Sequence, residues 1–150
     1  MDRGVSLSSM RYPYREDGIL PDGFKIPDIP TMNLLFARSD LRKGLLGEAI
    51  IDTGFDAAIY ANQDLVEFLA NSRVKRTTSL QAAGYTVTCE VFDIECHVTD
   101  QASKPILSLG VVEAYCPVDP VDLSEDVIVG RLILNRLSLN LNGRIAELLP

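Results

Sequence analysis

The feature that most constrains this chain is the long β-type run over residues 77–98. From Tyr85 onward, Val87, Cys89 and Val91 alternate with polar residues. The phase then slips by one, and Phe92, Ile94, Cys96 and Val98 carry the apolar side. A period of two places alternate side chains on opposite faces of a strand. A slip of one residue predicts a bulge, or a strand that changes which face it buries. At the front, Ala82-Ala83-Gly84 breaks the run with a turn of small residues.

The rest of the chain reads the same way. Met32 to Ala37 and Leu45 to Asp52 are strands joined by a polar turn from Arg38 to Gly44. Ile59-Tyr60 and Val127 to Val129 are short strands, and Ile106 to Ala114 is a longer apolar stretch. Leu137, Leu139 and Leu141 alternate, Asn142-Gly143 is a hairpin turn, and Ile145 to Leu149 returns. Asn62 is an N-cap for a helix running to about Ala70, and Gly130 to Arg136 forms a second short helix. The class is mostly β with one or two short helices. Residues 1–30 hold four of the eight prolines and no periodicity, so they form an extended or partly disordered arm. Tyr12-Pro13-Tyr14 suggests that part of it packs on something. The domain proper then spans 31–150.

A chain of 150 residues, 47% apolar and 23% charged, can bury about two-thirds of its unfolded surface. It needs no disulfides for a core. The net charge of −7 argues against binding nucleic acid or docking on an anionic membrane. No apolar run approaches the roughly 20 residues of a membrane span, and Met1 to Asp17 lacks the apolar region of a signal peptide. Cys89, Cys96 and Cys116 are odd in number and make no disulfide framework, so a reducing, cytoplasmic compartment is expected. A Ser-His-Asp or Cys-His enzyme would rest everything on His97. Cys96 and His97 are strand neighbours pointing to opposite faces, so they do not share a metal. The acidic loop from Pro117 to Asp126 lacks the Asp-x-Asp-x-Asp-Gly spacing of a calcium loop.

One segment carries chemistry: Ala49-Ile50-Ile51-Asp52-Thr53-Gly54. An apolar strand delivers an Asp into a turn held by Gly, which fixes a carboxylate on a rigid element and permits close approach. Alone, such a tripeptide is also an ordinary strand-to-turn Asx cap. Some 75 residues on, Val127-Ile128-Val129-Gly130-Arg131-Leu132 runs from an apolar strand into a helix start. Together the two segments resemble the retropepsin-like aspartic proteases, the family of retroviral proteases and their cellular relatives. The resemblance covers roughly residues 31–142 in the right order. Phe55 stands where the viral enzymes usually carry Ala.

The resemblance implies an acid-protease β-barrel, active as a two-fold symmetric homodimer. It makes Asp52, Thr53 and Gly54 the catalytic segment, with Thr53 bonding across the two-fold axis. It pairs Asp56 with Arg131, expected as a partly buried ion pair that supports the active-site loop together with Gly130. The flap becomes Leu80 to Val87, tipped by Ala82, Ala83 and Gly84. Phe55, Asp56, Leu80, Ile128 and Leu132 become candidate substrate contacts. The chemistry needs two carboxylates sharing one proton. One Asp-Thr-Gly in a chain this short means the second Asp comes from a second copy. The implied activity is an aspartic endopeptidase with no metal or organic cofactor, acting on an extended peptide bound as an added strand. The alternative is a non-catalytic dimeric peptide-binding module of the same fold. A metal-binding regulatory domain stands far behind both.

Overall fold

The computed structural model describes residues 10–82 and 84–150. Among the described residues ten strands and two short α-helices follow one another. They are β1 (Arg11–Pro13), β2 (Thr31–Arg38), β3 (Lys43–Ile51), β4 (Ile59–Tyr60), α1 (Gln63–Phe68), β5 (Arg76–Ala82) and β6 (Tyr85–Thr99). They continue with β7 (Pro105–Pro117), β8 (Val127–Val129), α2 (Arg131–Leu134), β9 (Ser138–Leu141) and β10 (Ile145–Leu149).

Strands β2, β3, β8, β4, β7 and β6 neighbour one another in that order, and β6 pairs back onto β2. That return closes a six-stranded barrel. Strand β5 lies outside the ring and, among the described residues, pairs only with β6, from Arg76 opposite Val91 to Ala82 opposite Tyr85. A separate three-stranded sheet runs β1-β10-β9.

Alternation decides the filling. Along β2, Met32, Leu34 and Phe36 are wholly buried while Asn33, Leu35 and Ala37 between them are only half so. Strand β6 resolves the slip in its pattern. Its pairing with β7 stays in register from Cys89 to Cys96, and the register shifts fall later, between Cys96 and His97 and between Val98 and Thr99. No bulge marks the Val91/Phe92 step. The strand instead changes the core it serves. Phe92, Ile94, Cys96 and Val98 enter the main core, whereas Val87, Cys89 and Val91 form a smaller one with Ala57 and Tyr115.

Helix α1 begins at the expected cap, with the Asn62 side chain accepting from Leu65 N at 3.0 Å. The arm is extended only in part. Strand β1 pairs with β10, and Met10 and Tyr12 lie in the main core. The Tyr12 hydroxyl donates to the Thr99 carbonyl at 2.5 Å. Beyond it, residues 15–29 fold back as a hairpin, bridged at Arg15–Ile29 and Ile19–Lys25.

Candidate active site

Asp52 sits one residue past β3, whose last three residues run parallel to β8. Its own N–H donates to Val129 O at 3.0 Å, and its carbonyl accepts from Phe55 N at 3.2 Å. Gly54 N donates to Asp52 Oδ1 at 2.9 Å. The carboxylate is thus held through backbone and side chain, and one of its oxygens is already oriented. A Cβ on Gly54 would stand 3.2 Å from that oxygen, so even Ala would crowd the bond.

The following residues are braced by α2. The first N–H groups of a helix lack partners within it. Here the loop supplies them: Arg131 N donates to Phe55 O at 2.8 Å, Leu132 N to Ala57 O at 3.3 Å, and Gly130 N to Ala58 O at 2.8 Å. Such close approach requires glycine at position 130. A Cβ there would lie 2.3 Å from Ala57 O and 2.6 Å from Phe55 O. The Gly-Arg pair therefore has a steric meaning: it lets a strand–helix junction dock against the Asp52 loop.

Asp56 and Arg131 do form an ion pair. It is not the partly buried pair expected from the sequence, because the Asp56 side chain is 81% exposed and that of Arg131 49%. The bracing comes from the backbone bonds of Gly130 and Arg131, which do not depend on the ionic contact.

A cavity of about 660 Å³ opens beside the carboxylate. It is lined by Asp52, Gly54, Phe55, Asp56, Leu80 and Ile128, all expected, and by Tyr60, Ser79, Gln81, Tyr85 and Val87. Leu132 is not in it. That side chain is exposed and lines a different pocket, with Lys75 and Arg136. Thr53 is exposed in the turn and does not line the cavity. Ala82 ends β5 and Gly84 turns the chain at a φ of +87°, a conformation that favours glycine. Ala83, named for the tip, lies outside the described residues. The added wall residues were within reach of the sequence. Once the turn fixes the β5–β6 register, Val87 falls opposite Leu80 and Thr86 opposite Gln81.

The cavity wall is also the small core's outer layer. Phe55, Tyr60 and Leu80 pack on that core. The rings of Phe55 and Tyr60 meet edge to face at 87°, with centroids 6.0 Å apart. The Tyr60 hydroxyl donates to Asp122 O at 2.5 Å, so its ring, not its hydroxyl, is presented to the cavity.

The cysteines stand apart from this chemistry. Cys89, Cys96 and Cys116 are free and buried. Burial pushes their thiols up, to about 11 for Cys89 and about 12 for the other two. Thiols that stay protonated are poor nucleophiles and poor metal ligands. Among the described residues no three His, Cys, Asp or Glu side chains converge as a metal set. No helix among them is long and apolar enough to cross a membrane.

No family model matches the chain, and no curated protein matches it either. Among solved structures it is similar to the crystal structure of a retropepsin-like aspartic protease from Rickettsia conorii. The TM-score is 0.53 at 13% identity, over 92% of this chain and 89% of that one. The fold is retropepsin-like. At this level of identity the likeness concerns the path of the backbone, and the case for chemistry rests on Asp52 and its surroundings.

Proposed function

We propose that the protein is an aspartic endopeptidase whose active site is completed by two copies of the chain. The observation that carries this reading is Asp52. A strand of a closed barrel delivers its carboxylate, Gly54 N–H orients it, and it faces a cavity roofed by the β5–β6 hairpin. In this reading Thr53 links the two loops across the axis. The catalytic fold is built on 31–150, with the preceding segment docked on it through β1, and the chain works in a reducing, cytoplasmic setting without metal or organic cofactor.

A lone carboxylate cannot serve as acid and base in turn. Two of them about 3 Å apart cannot both ionise easily, so they hold one proton between them. The ionised member takes a proton from water, and the water oxygen attacks the scissile carbonyl carbon. The protonated member gives its proton to the carbonyl oxygen. Collapse of the tetrahedral adduct breaks the C–N bond and transfers a proton to the leaving amine. The pair titrates as a unit. The substrate lies along the cavity as an extended strand, with Phe55, Leu80, Tyr60, Tyr85, Val87 and Ile128 meeting its apolar side chains. Asp56, Ala82 and Gly84 lie along its main chain.

The test is peptide hydrolysis at mildly acidic pH, with and without pepstatin, by wild type and Asp52→Asn. Wild type should cleave and be inhibited, and the variant should fold but not cleave. Excess variant should also poison wild-type activity as chains exchange, because a mixed dimer has a single carboxylate. A flat response, with exchange independently confirmed, means that one chain suffices. Peptide binding without cleavage by wild type supports the binding module instead.

A further inference from the structure

The hairpin of residues 15–29 is built like an arm meant to be covered. Its ladder is regular: Arg15 and Ile29 exchange backbone hydrogen bonds at 2.9 and 2.8 Å, Ile26 N donates to Gly18 O at 3.0 Å, and Leu20 N donates to Phe24 O at 2.8 Å. A two-stranded hairpin is marginal on its own, yet this one is clamped at its base. Arg15 forks onto both oxygens of Asp126 at 3.0 and 2.9 Å and reaches Glu48 at 3.0 Å. Glu48 belongs to β3, and Asp126 immediately precedes β8. The arm is therefore fixed to the two strands that form the floor beside Asp52.

Its free end is apolar. Ile19 is 69% exposed, Leu20 44% and Phe24 60%. Three large apolar side chains left exposed at the end of one hairpin suit an interaction surface. The arm's position identifies the occupant. Pro30, where the hairpin ends, accepts a hydrogen bond from Ile51 N at 3.0 Å, one residue before Asp52. Bringing two Asp52 carboxylates together therefore brings the bases of two such arms near the same axis.

We propose that residues 15–29 form a dimerisation arm, whose apolar end of Ile19, Leu20 and Phe24 seats on a second copy of this chain. The inference rests on the two-chain reading of the site and adds to it a specific grip. By two-fold symmetry each dimer carries two such contacts. The arm thereby ties assembly to catalysis, because the element that holds the partner grows from the strand pair that carries the carboxylate.

The experiment is sedimentation of the full chain over a range of concentrations, for wild type and for the triple variant Ile19→Ser, Leu20→Ser, Phe24→Ser. These side chains are exposed, so the protomer should keep its circular dichroism. The dimer dissociation constant should rise on the order of tenfold or more. Specific activity of the variant should fall at low concentration and recover as concentration rises. Hydrogen exchange on wild type gives a second measure that needs no variant: amides 18–26 should be slower in concentrated than in dilute protein. A wild-type dimer whose variant assembles equally well, or whose arm exchanges at the same rate at both concentrations, overturns the arm and leaves the two-chain site standing. An active wild-type monomer overturns the two-chain reading, and the arm with it.

Discussion

The two halves of β6 serve two cores that differ in kind. Residues 92–98 help fill the barrel, where Leu34, Phe36, Cys96 and Val98 are sealed on every side. Residues 87–91 enter the small cluster of Ala57, Val87, Cys89, Val91 and Tyr115, whose outer layer of Phe55, Tyr60 and Leu80 is the wall of the cavity. The first core has a single task, to exclude water. The second must hold a hairpin in place and also offer apolar surface to a ligand. Stability should therefore concentrate in the first, and substrate affinity in the second.

Truncations test that contrast most strongly. Phe36→Ala should cost about 3–5 kcal/mol, the usual range for a sealed aromatic, with little change in KM for whatever protein remains folded. Val87→Ala removes fewer atoms and leaves a void that opens towards the cavity, so about 1–2 kcal/mol is expected, with a raised KM. Denaturant titration and peptidase kinetics on both variants give the four numbers. Equal stability losses, or an unchanged KM for Val87→Ala, would erase the distinction between the cores.

The junction between them rests on one glycine. Gly130→Ala places a methyl group against Ala57 O and Phe55 O, backbone atoms that cannot swing away. Overpacking of this kind costs about 1–3 kcal/mol. The loss of activity should exceed the loss of stability, because the strain is relieved by moving the Asp52 loop. Crystal structures or peptidase assays well below the melting temperature would show it. A variant with full kcat would mean that the loop tolerates displacement.

Much of this was legible in the sequence because it depended on local period. Asn62 caps its helix, Asp52 leaves its strand for a turn, and Asn142-Gly143 sits between two strands that do pair. The slip in β6 was visible, but its meaning was not. A slip looks the same whether the chain bulges or simply passes from one core to another, and only the partners across the sheet decide. Tyr12 was legible as a residue that packs on something, but what it packs on was not. Its segment has no periodicity, and its place in the core depends on β10 and Thr99, far away in sequence. The resemblance paired Asp56 with Arg131 correctly, yet burial is a property of the surrounding shape, and here the pair faces solvent.

That exposure changes what Arg131→Ala should do. An exposed pair is worth about 0–1 kcal/mol, far below the cost of breaking a buried one. The backbone bonds from Gly130, Arg131 and Leu132 to the loop survive the substitution. The melting temperature should fall by no more than about 4 °C. A larger drop would mean that the pair braces the loop after all, and the contrast between backbone and ionic bracing would have to be redrawn.

The smallest effect concerns the outer clasp of the small core. Glu113 on β7 accepts from Arg76 at 2.6 and 2.9 Å and pairs with Lys75 at 2.9 Å, and Arg76 also donates to the Tyr115 hydroxyl at 3.0 Å. Lys75 reaches Asp93 as well, at 3.2 Å. The hydrogen bonds from Arg76 first, and then from Lys75, hold the Glu113 carboxyl down, from an ordinary value of 4.5 to about 2. A depressed carboxyl binds its proton less readily in the folded chain than in the unfolded one. Its stabilisation is therefore complete above pH 4.5 and disappears as the pH falls towards 2. The side chains involved are partly solvated, so the increment is modest. Melting curves recorded from pH 6 to pH 2 should show a drop below pH 4.5 that is larger in wild type than in Glu113→Gln. Over the same pH range the protection of the β5 amides, relative to their intrinsic exchange rates, should fall, because Arg76 begins that strand and the clasp fastens the base of the hairpin. Parallel melting curves for the two proteins would show that the clasp contributes nothing, and that the small core alone anchors the hairpin.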